Sequence, residues 1–275
     1  MAAFPQRRVS RTAGWARRLS AFSLVLLVTA GGGHRYGLVE TFGFLWTLAL
    51  VAVLALGGLV LAFGGFSQLW RNGDKAGKAS LAATVLSLVV LAPYGAAGWL
   101  YLTLPALTDV ATDLDEPPAF TIAPRLRTAQ MNALGPVTAE AAALQMRTYP
   151  DVAGRRLDAS VERVLAALAP VVAARGWRVH GPMPASAGGR AEIFIEMEAP
   201  SLVLRFPADA VLRLTDEEET TFVDMRMASR YGPHDLGSNA RRIDAFMAAL
   251  AAELERQSLE IIDIPPSDGA ENPVD

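Results

Sequence analysis

Two runs of 26 residues, Thr41–Phe66 and Ala79–Leu104, contain no acid, no base and no histidine. A bilayer core of about 30 Å is crossed by roughly 20 apolar residues in a helix, so each run is long enough to span with some tilt. A buried core helix is a weak alternative at this length. An earlier apolar run, Leu19–Gly33, has 15 residues and follows Arg7, Arg8, Arg11, Arg17 and Arg18. That pattern fits a first span or a secretory signal peptide. We read an uncleaved helix that reaches back to Trp15 as an interfacial anchor. Spans are thus expected at about 15–36, 41–66 and 79–104, which makes residues 1–104 a membrane anchor.

Charge divides the chain at the same place. Residues 1–104 hold nine Lys/Arg against two Asp/Glu, a net +7, whereas 105–275 hold sixteen against twenty-six, a net −10. Positive charge stays on the cytoplasmic side. The basic N-terminus and the 67–78 connection, with Arg71, Lys75 and Lys78 against Asp74, are therefore expected inside. Three spans then put the acidic part outside. Cleavage of the first run leaves two spans and the same placement.

The second and third spans carry none of the costly ionisable groups that transporters and pumps use, so they read as an anchor. Gly58 and Ala62 form a small-residue pair suited to seating a neighbouring helix. Pro93, Gly95 and Gly98 predict a kink. The chain has no Cys and three His, which argues against thiol chemistry and a His-rich metal centre. No metal and no cofactor is expected. The acidity of 105–275 argues against nucleic acid as a partner.

Residues 105–136 contain Pro105, Pro117, Pro118, Pro124 and Pro136 and little periodicity, and they read as an extended, partly ordered linker. Its cluster Asp109, Asp113, Asp115 and Glu116 lacks the central Gly of a calcium loop.

Residues 137–264 read as one α+β domain. Asp158 is placed to cap a helix with Val161, Val164, Leu165, Leu168, Val171 and Val172 on one stripe, kinked or shortened at Pro170 and stopped at Gly176. Strands are expected at Trp177–His180, Glu192–Glu198, Ser201–Phe206, Ala210–Thr215 and Thr220–Ala228, with Asp216–Glu219 as a solvated hairpin tip. Ser238 opens a long helix with Ile243, Phe246, Met247, Leu250 and Leu254 on its apolar stripe. A short strand is expected at Leu259–Ile264, and a disordered tail at 265–275. Short connections imply an antiparallel meander of four to five strands, covered by helices.

The stretch Arg226-Met227-Ala228-Ser229-Arg230-Tyr231-Gly232-Pro233-His234-Asp235-Leu236-Gly237-Ser238-Asn239, followed by Arg242 and Ile243, resembles the signature of the bacterial and plastid family known as domain of unknown function 1499. Asp115-Glu116-Pro117-Pro118-Ala119-Phe120 and Tyr149-Pro150-Asp151 resemble further landmarks of that family. Met227 stands where the family pattern has a small polar residue. The resemblance covers most of 109–255 and implies a strand end leading into a helix. Three apolar spans before the domain are a layout associated with alphaproteobacterial members. The Ala- and Arg-rich composition fits a high-GC bacterium, and in a Gram-negative cell the outer side expected from the charge pattern is the periplasm, so an inner-membrane protein with a periplasmic domain is expected. The family supplies no established activity.

The residues of the signature define a candidate corner. Arg226, Arg230 and Arg242 bring three guanidinium groups near Asp235, while Ser229, Ser238 and Asn239 sit at the helix start. One reading is a staple, with Asp235 paired to Arg230 or Arg242. The other is an anion pocket at a helix N-terminus. Ser229 and His234 lie close in sequence but make no catalytic constellation by themselves, and His180 reads as structural.

Three function classes follow. The first is a membrane-anchored periplasmic domain binding an anionic small molecule, a lipid or an envelope protein. The second is a structural or assembly subunit of an envelope complex. The third is an envelope hydrolase. Membrane lipids are a partner in each.

Overall fold

The computed structural model describes residues 8–262. The chain divides into two compact units, Met1–Leu104 with Ser201–Phe206, and Pro105–Pro200 with Pro207–Asp275. The expected tail at 265–275 lies outside the described residues.

The first unit holds three helices, α1 (Arg11–Arg35), α2 (Thr41–Asn72) and α3 (Gly77–Thr103). The Ser10 hydroxyl caps α1 by accepting from the Ala13 N–H at 3.1 Å. Gly73, in the left-handed region, closes α2, and α3 continues through Pro93 to Thr103. By length and composition, α2 and α3 are apolar enough to cross a membrane. α1 does not join them, because basic residues occupy its early turns and its apolar run is short.

Gly58 is where the helices meet. A Cβ there would come within 2.4 Å of Ser20 Oγ and 3.0 Å of Ser87 Oγ, and those two hydroxyls lie 2.9 Å apart. Ala16, Ala62 and Ala83 pack one turn away. The small pair Gly58 and Ala62 therefore seats neighbouring helices as its spacing predicts.

The second unit is built on a six-stranded antiparallel sheet. Its strands are β1 (Asp109–Ala111), β2 (Arg155–Leu157), β3 (Arg178–Val179), β4 (Glu192–Glu198), β5 (Ala208–Glu217) and β6 (Thr220–Ser229). They run in the order β1-β6-β5-β4-β3, and β2 also pairs with β6. β1 covers Arg226–Ala228 and β2 covers Thr221–Val223, so the two short strands share one edge of β6.

One face is apolar. Ile193, Ile195 and Met197 of β4, Ala210, Leu212 and Leu214 of β5, and Val223, Met225 and Met227 of β6 point to one side, as the two-residue period requires. They pack against α6 (Val161–Ala174) and α7 (Ser238–Ile262). Ile243, Phe246, Met247, Leu250 and Leu254 are buried in this layer, and Phe246 stacks on Trp177 with centroids 5.2 Å apart. Met227 belongs to this core. Its side chain fills an apolar position rather than a polar one.

Five expectations change. The sheet has six strands rather than four or five, because β1 and β2 are three-residue strands too short to show a period. Ser201–Phe206 is not a strand. It is a loop closed on itself by the Ser201 N–H donating to Phe206 O and the Arg205 N–H donating to Ser201 O, with Arg205 at φ 58. Leu259–Ile262 continues α7 rather than forming a strand, and residues 263–264 lie outside the described range. Ser160 rather than Asp158 is the N-cap of α6, which runs four residues past Pro170. The fifth change is the largest. Residues 105–136 are irregular, but they belong to the folded second unit rather than to a partly ordered linker. They contain β1 and α4 (Ala123–Leu126) and form a strap over the second face of the sheet.

Candidate functional site

The second face carries charge. Glu196 and Glu198 of β4, Asp209 and Arg213 of β5, and Asp224 and Arg226 of β6 alternate with the core residues. The register sets Glu198 beside Asp209, Val211 between Glu196 and Arg226, and Arg213 beside Asp224. Asp209, Asp224, Arg226 and Glu196 are all buried. Burying a charge is costly unless it is paired and hydrogen-bonded, and the strap supplies the partners.

Asp209 is held from two sides. Arg127 of the strap donates its Nε to Oδ2 at 2.8 Å, and Arg230 places Nη2 2.7 Å from Oδ1. Arg230 also reaches Glu198 at 3.2 Å. Arg127 further donates to the carbonyls of Asn132 at 2.6 Å and Ala228 at 3.0 Å, which ties the strap to the end of β6. Asp224 receives Arg213 Nη2 at 2.6 Å and the Thr112 hydroxyl at 2.9 Å. Asp113 accepts from the same Nη2 at 2.7 Å.

Glu196 sits under the start of α4. Its carboxylate accepts from the Thr121 N–H at 2.6 Å, the Thr121 hydroxyl at 2.5 Å, and the N–H groups of Ile122 and Ala123 at 2.9 Å each. Burial pushes this carboxyl up, but the bonds from Thr121, Ala123 and Ile122 prevail and hold it below its ordinary range.

The signature residues go to separate places. Arg226 forms a bidentate pair with Asp109 at 2.9 and 2.8 Å. Arg230 belongs to the Asp209 cluster. Arg242 lies over the Trp177 ring, 5.3 Å from its centroid, and donates to the carbonyls of Ala199 and Pro200. Burial pushes its guanidinium down to about 10, against the opposing pull of Asp235.

The expected pairing of Asp235 with Arg230 or Arg242 is not formed. Asp235 instead caps the start of α7, where Oδ1 accepts from Gly237 N–H and Oδ2 from Asn239 N–H, both at 2.8 Å. Gly237 and Gly232 take positive φ in this turn, a conformation that Gly adopts without penalty. Asn239 Nδ2 donates to Thr108 O at 3.0 Å and to Ser229 Oγ at 3.1 Å. Asn239 thus joins the ends of β6 and α7 to the strap. The His234 ring accepts from the Leu236 N–H through Nδ1, so Ser229 and His234 are committed to different partners. The three arginines were expected together because they are close in sequence. They separate because Arg226 lies on a strand, Arg230 lies beyond its end, and Arg242 lies a turn inside a helix.

Arg226 opens onto a cleft. A space of about 270 Å³ is lined by Ala119, Phe120, Pro124, Leu134, Gly135, Pro136 and Arg226. The guanidinium lies 5.2 Å from the Phe120 ring centroid. Besides Asp109 it meets Gly135 O at 2.7 Å and Pro118 O at 3.4 Å. Arginine has five N–H donors, and bonds among the described residues take four of them.

Sequence reading missed Asp109, Arg127, Glu196, Asp209, Arg213 and Asp224. A signal was present. Charges recur on one face of three adjacent strands, and such a face needs countercharges from another segment. The strap's own Arg127 and Asp113 were those countercharges. No group of three His, Cys, Asp or Glu suited to a metal occurs among the described residues; of the strap acids, Asp109 and Asp113 face arginines.

An α+β domain whose charged sheet face is roofed by its own N-terminal strap, preceded by helices apolar enough to cross a membrane, defines the class. The chain belongs to the family described as Protein of unknown function (DUF1499), whose model matches residues 109–250, just over half of the sequence. The match begins at β1, so the strap lies within the family domain. No curated protein matches the chain.

Proposed function

We propose that the chain is an inner-membrane protein whose family domain binds a small ligand in the Arg226 cleft on the periplasmic side. α1 serves as a third span, with Trp15 at its interface. The charge bias of the first 104 residues supports a cytoplasmic N-terminus and 67–78 connection.

The observation that carries the ligand reading is the cleft itself. Its walls are Phe120, Pro124, Leu134 and Pro136, and its floor is a buried arginine whose fifth donor is unused among the described residues. A hollow that combines apolar side chains with a few placed polar groups is the usual form of a small-molecule site. The bidentate pair with Asp109 already offsets the positive charge of Arg226. The floor therefore favours a neutral acceptor over a phosphate dianion. The ligand class is an apolar body bearing an ester or amide carbonyl.

Thermal melts of the full chain in detergent test this. Esters and amides of graded apolar size should raise Tm with concentration, as mass action requires, and inorganic phosphate should not. Stabilisation by phosphate and none by the carbonyl compounds would refute the reading.

A further inference from the structure

The β4–β5 connection departs from the chemistry of an ordinary surface loop. Leu202 and Val203 are 80% and 70% exposed, yet the backbone carbonyls beside them are occupied. Arg35, the last residue of α1, donates Nη1 to Leu202 O at 2.6 Å and to Val203 O at 2.7 Å. His34 Nδ1 meets Leu204 O at 2.6 Å. A carbonyl has no proton to give, so the ring donates here. The other ring nitrogen, Nε2, lies 3.0 Å from Thr41 Oγ1, and the ring stacks on Phe44 with centroids 4.4 Å apart.

Water normally satisfies the carbonyls of an exposed loop. In a bilayer those groups must find protein donors, and exposed backbone without them does not enter hydrocarbon. In this loop the donors are supplied by the end of α1, while the apolar side chains point away from protein. The adjoining turn is similar, with Leu38 82% and Tyr36 79% exposed. The opposite end of the same helices carries Arg71, Lys75 and Lys78 instead.

We propose that Ser201–Phe206 is a lipid-inserting loop, with Leu202 and Val203 in the boundary between headgroups and acyl chains. The bilayer is the occupant because this apolar surface continues directly from the ends of α1 and α2. Arg35 is the positioning residue, since its guanidinium caps two carbonyls at once. The proposal rests on the reading of the helices as spans.

The chain has no cysteine, so single nitroxide labels can be placed without background. The full chain carrying Leu202→Cys, Val203→Cys, Val53→Cys or Glu219→Cys is labelled and reconstituted in phosphatidylcholine–phosphatidylglycerol vesicles. Accessibility to oxygen and to a water-soluble nickel chelate is then measured. Val53 is a lipid-facing position of α2 and Glu219 lies at the β5–β6 hairpin tip. Labels at 202 and 203 should favour oxygen, at a depth shallower than position 53, while position 219 favours nickel. Nickel-dominated labels at 202 and 203, with an oxygen-dominated label at 53, would overturn the loop proposal and leave the spans intact. A nickel-dominated label at 53 would overturn both. Adding Arg35→Ala should shift the label at 202 toward nickel, and an unchanged ratio would contradict the role given to Arg35.

Discussion

Arg127 and Asp209, 82 residues apart, form a buried ion pair at 2.7 Å, with side chains 5% and 1% exposed. The pair joins the proline-rich strap to the start of β5. It makes the strap part of the folded second unit, whose family match begins at β1. Strap and sheet share one charge layer, in which Arg127, Asp113 and Asp109 of the strap pair with Asp209, Arg213 and Arg226 of the sheet.

Removing Asp209 leaves Arg127 and Arg230 buried without their shared carboxylate. Asp209→Ala should destabilise the second unit by about 3–5 kcal/mol, the cost of breaking a buried pair from one side. A double-mutant cycle with Arg127→Ala should give a coupling of roughly 1–3 kcal/mol. Denaturant melts followed by Trp177 fluorescence, in a chain with Trp15, Trp46, Trp70 and Trp99 replaced by Phe, measure both. Additive effects would mean that the strap is not held through this pair.

Glu196 sets a pH dependence. Its folded pKa is held below the ordinary 4.5. Between the two values the unfolded chain binds more protons, so stability falls as the medium is acidified. The contribution is fully present above about pH 4.5 and is lost as pH drops through the folded value. Asp113, also held low despite its burial, by bonds from Glu116, Arg213 and Asp115, acts in the same direction. Glu196→Gln should lower stability at pH 7 by about 2–3 kcal/mol, since hydrogen bonds to a charge are worth roughly that much. It should also flatten the acid limb. A variant with an unchanged pH profile would remove Glu196 from this role.

Asp235 behaves differently. Burial raises its pKa, and the bonds from Asn239 and Gly237 oppose that only in part. A carboxyl raised in the folded state becomes a smaller burden as pH falls through its folded value toward its unfolded one. As a helix cap, Asp235→Ala should cost about 1–2 kcal/mol. Arg230→Ala, which breaks the Asp209 cluster, should cost about 3–5 kcal/mol. Equal losses in the two variants would restore the Arg–Asp corner that the sequence implied.

Most of the apolar architecture was legible in the sequence. The stripe Ile243, Phe246, Leu250 and Leu254 declared α7, and the alternation of Ile193, Ile195 and Met197 declared β4, because burial imposes a period on a regular element. The strap had no period to read. Its prolines and acids look like a linker until Asp109 meets Arg226 and Asp113 meets Arg213 across more than 90 residues. Pairing of that kind depends on tertiary register, and one chain does not print it. The corner failed for the same reason: proximity in sequence placed Arg230 beside Asp235, while register placed it beside Asp209.

Orientation is checked by reporters active only in the periplasm. A fusion at the C-terminus should be active and one at Gly73 silent, as the basic 67–78 connection requires. The opposite pattern would invert the topology.

The central claim is that the Arg226 cleft holds a ligand. Ala119 is exposed at its rim, so Ala119→Trp should close the cleft without touching the Arg226–Asp109 pair. The direct measurement is native mass spectrometry of the full chain released from detergent. The wild type should retain a small molecule of constant mass, and Ala119→Trp should lose it while melting at the same temperature. A wild type that carries nothing, or a variant that retains the same mass equally, would contradict the account.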